Sequence, residues 1–113
     1  VEAVGVEFLE VINPVNVEIS KEIFKKALQF DGVAVVISKY PCMLTKKGVS
    51  STLLMTVDPE KCDKCLNCLK ELTCPAIYTA EDGSVNIDSM SCRGCSVCMQ
   101  ICPKKAIGAK RLI

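Results

Sequence analysis

Eight of the nine cysteines in this 113-residue chain fall between Cys62 and Cys102, in a pattern too regular for scattered small hydrophobes. Cys62, Cys65 and Cys68 form one C-x-x-C-x-x-C run, and Cys92, Cys95 and Cys98 form a second. Each run is followed by a cysteine that precedes proline, Cys74-Pro75 and Cys102-Pro103. A loop of this kind is short enough to wrap three iron corners of a [4Fe–4S] cubane while aiming backbone N–H groups at its sulfides, so a fourth thiolate must come from elsewhere. In the bacterial two-cluster arrangement, the cysteine before proline ligates the other cluster. That rule predicts two [4Fe–4S] clusters. The first is held by Cys62, Cys65, Cys68 and Cys102, and the second by Cys92, Cys95, Cys98 and Cys74.

Other uses of the cysteines fit less well. A tetrahedral zinc site would use two C-x-x-C pairs and leave the third cysteine of each triplet unexplained. A disulfide framework needs an oxidising compartment and leaves one thiol of an odd count unpaired. With no basic segment leading into an apolar secretory stretch, the sequence reads as that of a cytoplasmic protein in a reducing setting. No apolar run approaches the roughly 18 to 20 residues of a membrane helix, so no membrane association is expected. The remaining cysteine, Cys42, follows Pro41 and reads as a small buried hydrophobe. No catalytic residue can be named: the chain has no histidine, no activated nucleophile pair and no glycine-rich phosphate loop. The formal net charge is +1, with none of the positive bias that nucleic acid requires. Eight thiolates and two oxidised cores would carry that charge to about −3.

The elements that must position these thiols come from an internal repeat at an offset of 30 residues. Val57-Asp58-Pro59-Glu60-Lys61-Cys62 pairs with Ile87-Asp88-Ser89-Met90-Ser91-Cys92, which implies two similar units related by a pseudo-two-fold. The spacing departs from the minimal bacterial pattern in one place: five residues separate Cys68 from Cys74 where three separate Cys98 from Cys102. Glu81 to Ser84 has the composition of a hairpin turn between short strands. Two clusters tying together both ends of the segment can replace the hydrophobic core that so short a domain would struggle to build.

Upstream, Glu7 to Ile12 and Val33 to Ile37 read as strands. Between them lies a helix with Asn16 as N-cap, Ile19, Ile23, Phe24, Ala27 and Leu28 on one face, and Gly32 as its stop. The expected fold class is therefore α+β: a β-α-β segment over residues 1–54, then a two-cluster ferredoxin-like domain over 55–113, with Thr45 to Ser51 connecting them. A lone β-α-β unit whose second strand is continuously apolar cannot cover itself, so the first half is expected to be part of something larger.

The second half, TVDPEKCDKCLNCLKELTCPAI followed by IDSMSCRGCSVCMQICPKKAI, resembles the ferredoxin-like tail of the alpha subunit of indolepyruvate ferredoxin oxidoreductase. The first half, VEFLEVINPVNVEISKEIFKKAL and GVAVVISKYPCML, resembles the end of that subunit's thiamine diphosphate-binding domain. The resemblance implies a low-potential relay of one electron at a time, from a thiamine diphosphate site to an external ferredoxin. It also implies that thiamine diphosphate and magnesium bind elsewhere, in a catalytic subunit or upstream domain. The Gly-Asp-Gly motif that would hold them is absent here, since Asp31-Gly32 and Asp82-Gly83 are the only Asp-Gly pairs. The chain is expected to be either a C-terminal piece of the long subunit or a separately encoded small protein that kept the tail and lost catalysis, and the sequence favours an enzyme subunit over a freestanding ferredoxin-like carrier.

Overall fold

A computed structural model describes residues 1–45 and 53–111. Most of the connection expected over Thr45 to Ser51 lies outside the described residues. The chain folds as two units, Val1–Pro41 and Cys42–Ile113. This division lies upstream of the boundary expected near residue 55. The reason is that the strand beginning at Leu53 hydrogen-bonds within the second unit rather than linking the two.

In the first unit, β1 (Phe8–Ile12) and β2 (Ala34–Ser38) pair in parallel on either side of α1 (Val17–Gln29), with Phe8 opposite Ala34 and Ile12 opposite Ser38. Asn13-Pro14 ends β1, and the Asn13 side chain accepts from Val15 N at 3.0 Å to turn the chain. The Asn16 side chain then accepts from Ile19 N at 3.3 Å, satisfying one of the helix's free N–H groups. Ser20, buried on α1, donates its hydroxyl to Asn16 O at 2.7 Å and ties the first turn down. At the other end, α1 closes at Phe30 in an extended conformation, before the expected stop at Gly32. The Phe30 ring stacks at a tilt on Phe8, with centroids 5.4 Å apart.

The apolar stripe of α1 divides. Ile23 and Ala27 are half-buried toward the strands, whereas Phe24 is 50% exposed and Leu28 87%. Val33, expected in a doubly buried strand, is 70% exposed and precedes β2. Two strands and one helix form two narrow layers, and neither has enough surface to cover both sides of its neighbour.

The second unit is built twice from one pattern. A strand leads into a cysteine loop, then a short helix, then a strand: β3 (Leu53–Val57), α2 (Asn67–Leu72) and β4 (Ile77–Thr79), followed by β5 (Val85–Ile87), α3 (Val97–Ile101) and β6 (Ile107–Arg111). The outer strands β3 and β6 pair antiparallel, Val57 opposite Ile107, as do the inner strands β4 and β5, Ile77 opposite Ile87. The turn joining β4 to β5 has Gly83 at φ 79°, and Ala80 N donates to Ser84 O at 2.8 Å. Met55, Ile77, Val85 and Ile107 form the buried core together with two thiols, Cys68 and Cys98.

Candidate metal centre

Each cysteine loop is entered through an aspartate held in the same way. Asp58 N donates to Ala106 O and Asp88 N to Ala76 O, both at 2.7 Å. The Asp58 carboxylate accepts from Glu60 N, and the Asp88 carboxylate from Met90 N, both at 3.0 Å. The Asp58 and Asp88 carbonyls in turn accept from Cys62 N at 3.1 Å and Cys92 N at 2.9 Å. These contacts fix where the first thiol of each loop begins. The Ser91 hydroxyl and the Met90 N–H also hold the Asp88 carboxyl below its ordinary range.

The loops then turn through left-handed backbone at matching places. Lys64 (φ 59°) and Leu66 (φ 63°) flank Cys65, and Gly94 (φ 69°) and Ser96 (φ 66°) flank Cys95. Alternating right- and left-handed residues turn successive N–H groups to one side and make the anion-binding concavity found at many iron–sulfur sites. A side chain costs about 1 kcal/mol or more at such a position. Only Gly94 advertises the conformation in the sequence; at Lys64, Leu66 and Ser96 nothing local does.

The prolines follow from the same economy of backbone groups. Ile77 N donates to Cys74 O at 3.1 Å and Lys105 N to Cys102 O at 3.2 Å, so Pro75 and Pro103 each stand second in a tight turn. Cys102 ends α3, and its sulfur accepts from Ala106 N at 3.4 Å.

The structure gathers the eight thiols into two sets. Cys62, Cys65, Cys68 and Cys102 line one cavity, together with Val57, Leu66, Val85 and Ile107. Cys74, Cys92, Cys95 and Cys98 line another, together with Met43, Met55, Leu72, Ile77 and Ile87. Each set thus takes three thiols from one cysteine loop and the fourth from beyond the other loop's helix. Among the described residues, no three Cys, His, Asp or Glu side chains converge closely enough to share a single metal ion. The thiols of each set frame a space, as the donors of a cubane must when each binds a different iron.

Burial governs the electrostatics. Desolvation pushes the Cys98 thiol up to about 12, reinforced by the neighbouring Cys95, Cys92 and Cys74, while the Met99 N–H works against it. Desolvation likewise raises Cys68, with Cys102 and Cys62 adding to the rise and the Leu69 N–H opposing it. Thiols that resist ionising on their own become good ligands once iron supplies the compensating charge, and iron uptake then releases their protons. The donors, the Leu69, Met99 and Ala106 N–H groups that reach the thiols, and the apolar walls all suit two [4Fe–4S] clusters.

Cys42 does not join either set and is exposed, contrary to the buried position expected of it. Lys104 pairs with Asp63 at 3.9 Å beside the first set of thiols. Among the described residues, no helix is long and apolar enough to cross a membrane. Met43 and Leu72 were not singled out by sequence reasoning. The one hint of Leu72 was the extra length between Cys68 and Cys74.

Comparison with known proteins adds the following. Residues 54–104 match the family model of the 4Fe-4S dicluster domain. Indolepyruvate oxidoreductase subunit IorA of Methanothermobacter thermautotrophicus is 56% identical over 107 residues, which is 95% of this chain and 17% of that protein. The IorA subunit of Archaeoglobus fulgidus is 42% identical over 110 residues, 91% of this chain and 17% of its own length. Pyruvate synthase subunit PorD of Methanocaldococcus jannaschii is 44% identical over 64 residues, 55% of this chain and 72% of that protein. The chain therefore spans about a sixth of the length of its IorA relatives and most of the length of a small separate subunit.

Proposed function

Because the chain belongs to the family of the IorA subunits of indolepyruvate oxidoreductase, whose C-terminal part it matches, we propose that its iron–sulfur electron-transfer module serves a 2-oxoacid oxidoreductase of that type. In this reading electrons leave a thiamine diphosphate site, with its magnesium, on other regions of the parent protein or on a partner chain. They pass singly through this module to an external ferredoxin in the cytoplasm.

Cys62, Cys65, Cys68 and Cys102 hold the first cluster; Cys92, Cys95, Cys98 and Cys74 hold the second. The observation that carries the assignment is the crossed membership of the two thiol-lined cavities. Bound clusters supply one-electron redox chemistry at low potential, on the order of −400 mV. The chain's own residues supply thiolates, N–H donors such as those of Leu69, Met99 and Ala106, and walls that exclude water. The second unit makes up a bacterial two-cluster ferredoxin-like domain whose halves are related by a pseudo-two-fold. The first unit, Val1–Pro41, corresponds to the end of a thiamine diphosphate-binding domain, which explains apolar residues such as Val11, Leu28 and Val33 left without cover.

The alternative reading is a separate small electron carrier; the match to most of PorD, itself a subunit of pyruvate synthase, supports only that such a module can make up most of one chain. Anaerobic purification from the native source, with sizing of co-eluting chains and an assay for thiamine diphosphate, distinguishes the two. A longer parent chain or a thiamine-containing partner is the expected result. A lone small iron protein would establish the carrier.

A further inference from the structure

The two cavities correspond in most of their lining at the repeat's offset of 30 residues, but the second also draws on a residue from outside the repeat. Around the thiols, Val57 answers Ile87, Val85 answers Met55, and Ile107 answers Ile77. Leu72 has no counterpart, because it comes from the two residues by which the Cys68-to-Cys74 stretch exceeds Cys98 to Cys102. Met43 has none either, because it comes from ahead of β3, outside the repeat altogether. Both line the cavity of Cys74, Cys92, Cys95 and Cys98, whereas the first cavity has Leu66 and Lys104, whose places have no counterpart in the lining of the second.

The segment bearing Met43 is a turn belonging to the second unit. Thr45 N donates to Cys42 O at 2.9 Å, and the Thr45 hydroxyl donates to the same oxygen at 2.7 Å. Within that turn Cys42 and Leu44 are exposed, and Met43 alone is half-buried. An unbranched thioether adapts readily to an irregular apolar wall. Of the four thiol pairs one differs in burial: Cys65 is exposed, whereas its repeat-mate Cys95 is half-buried.

We propose that Met43 is a positioning residue that shields the second cluster from water and so lowers that cluster's reduction potential. This rests on the two-cluster reading above. Reduction adds a negative charge to a site that already carries four thiolates, and water stabilises that added charge, so excluding water disfavours the reduced form. Leu72 closes the wall from the α2 side, and Met43 closes the side that the repeat leaves open.

The test uses the full chain, loaded with iron and sulfide anaerobically and titrated with dithionite while each cluster's paramagnetic resonance is followed. The second cluster's signal is the one that Cys98→Ser abolishes. Met43→Ala and Met43→Gln should raise the midpoint of that signal and leave the other in place, and Met43→Leu should restore it. If Met43→Ala fails to load, the Gln and Leu variants decide, since both preserve bulk and differ in polarity. An unmoved midpoint, or an equal shift in both signals, overturns the shield. Failure of the unaltered chain to form any cluster overturns the two-cluster reading and the shield with it.

Discussion

At the scale of the residue, a thiol is useful to iron only where backbone has fixed its direction, and the two loops fix it with four left-handed residues. Gly94 is the one of these four that meets the requirement without strain, and Lys64 occupies the equivalent place with a side chain. Gly94→Ala should therefore destabilise the loaded protein by about 1 kcal/mol and lower occupancy of the second cluster more than the first, read by denaturant unfolding and resonance intensity. Lys64→Gly should cost nothing comparable. The crossed assignment has a sharper consequence. Cys62→Ser should deplete one cluster and Cys98→Ser the other, each leaving about half the iron and sulfide if the two sites load independently. Iron content equal to that of the unaltered chain in both variants would sink the assignment.

Among the elements, α1 and the helices of the cysteine loops are stabilised by different means. The N-terminus of α1 depends on Asn16, whose side chain meets Ile19 N. Asn16→Ala should cost about 1 kcal/mol, measurable as earlier loss of helical signal on denaturation. By contrast α2 and α3 begin at Leu66 and Ser96, neither of which caps with its side chain. Helices this short are marginal without tertiary support, and the buried Cys68 and Cys98 on them suggest where it comes from. The aspartates at the loop entrances add local order. The folded-state pKa of Asp88 is depressed, so its contribution is present above the ordinary value of 3.8 and is lost as pH falls through the lowered one. Asp88→Asn should release iron from the second cluster faster than the unaltered chain does at neutral pH, and the two should converge in acid. A constant ratio across that range would show that the carboxylate charge is not what matters.

For the whole molecule, the two units reach stability by different routes. Among the described residues, the core cluster of the second joins two thiols to four aliphatic or thioether side chains, a thin core for its length, so chelating the iron should unfold it. Loss of the β-sheet signal together with the visible absorbance, reversed on anaerobic reloading, is the expected result. A metal-free form with full secondary structure would show that the aliphatic core suffices. The first unit has no such staple, and residues such as Leu28 and Val33 remain largely exposed in it. That exposure fits a fragment of a larger layered domain better than a module complete in itself.

Read alone, the sequence determined the chemistry, because an iron–sulfur ligand set depends on residue type and short spacing, and both are written in the chain. It also determined the cap at Asn16 and the turns at Pro75 and Gly83, where one residue's own geometry decides the backbone. It misjudged what depends on distant neighbours. Cys42, expected to be buried, is exposed because its turn has little to pack against, which no local pattern reports, whereas the uncovered Leu28 and Val33 accord with the expectation that the first half cannot cover itself. The division at Pro41 was decided by the pairing of β3 with β6 across more than fifty residues. Met43 reached the second cavity by the same kind of long-range closure, and only the tertiary structure could bring a residue outside the repeat against one half of it.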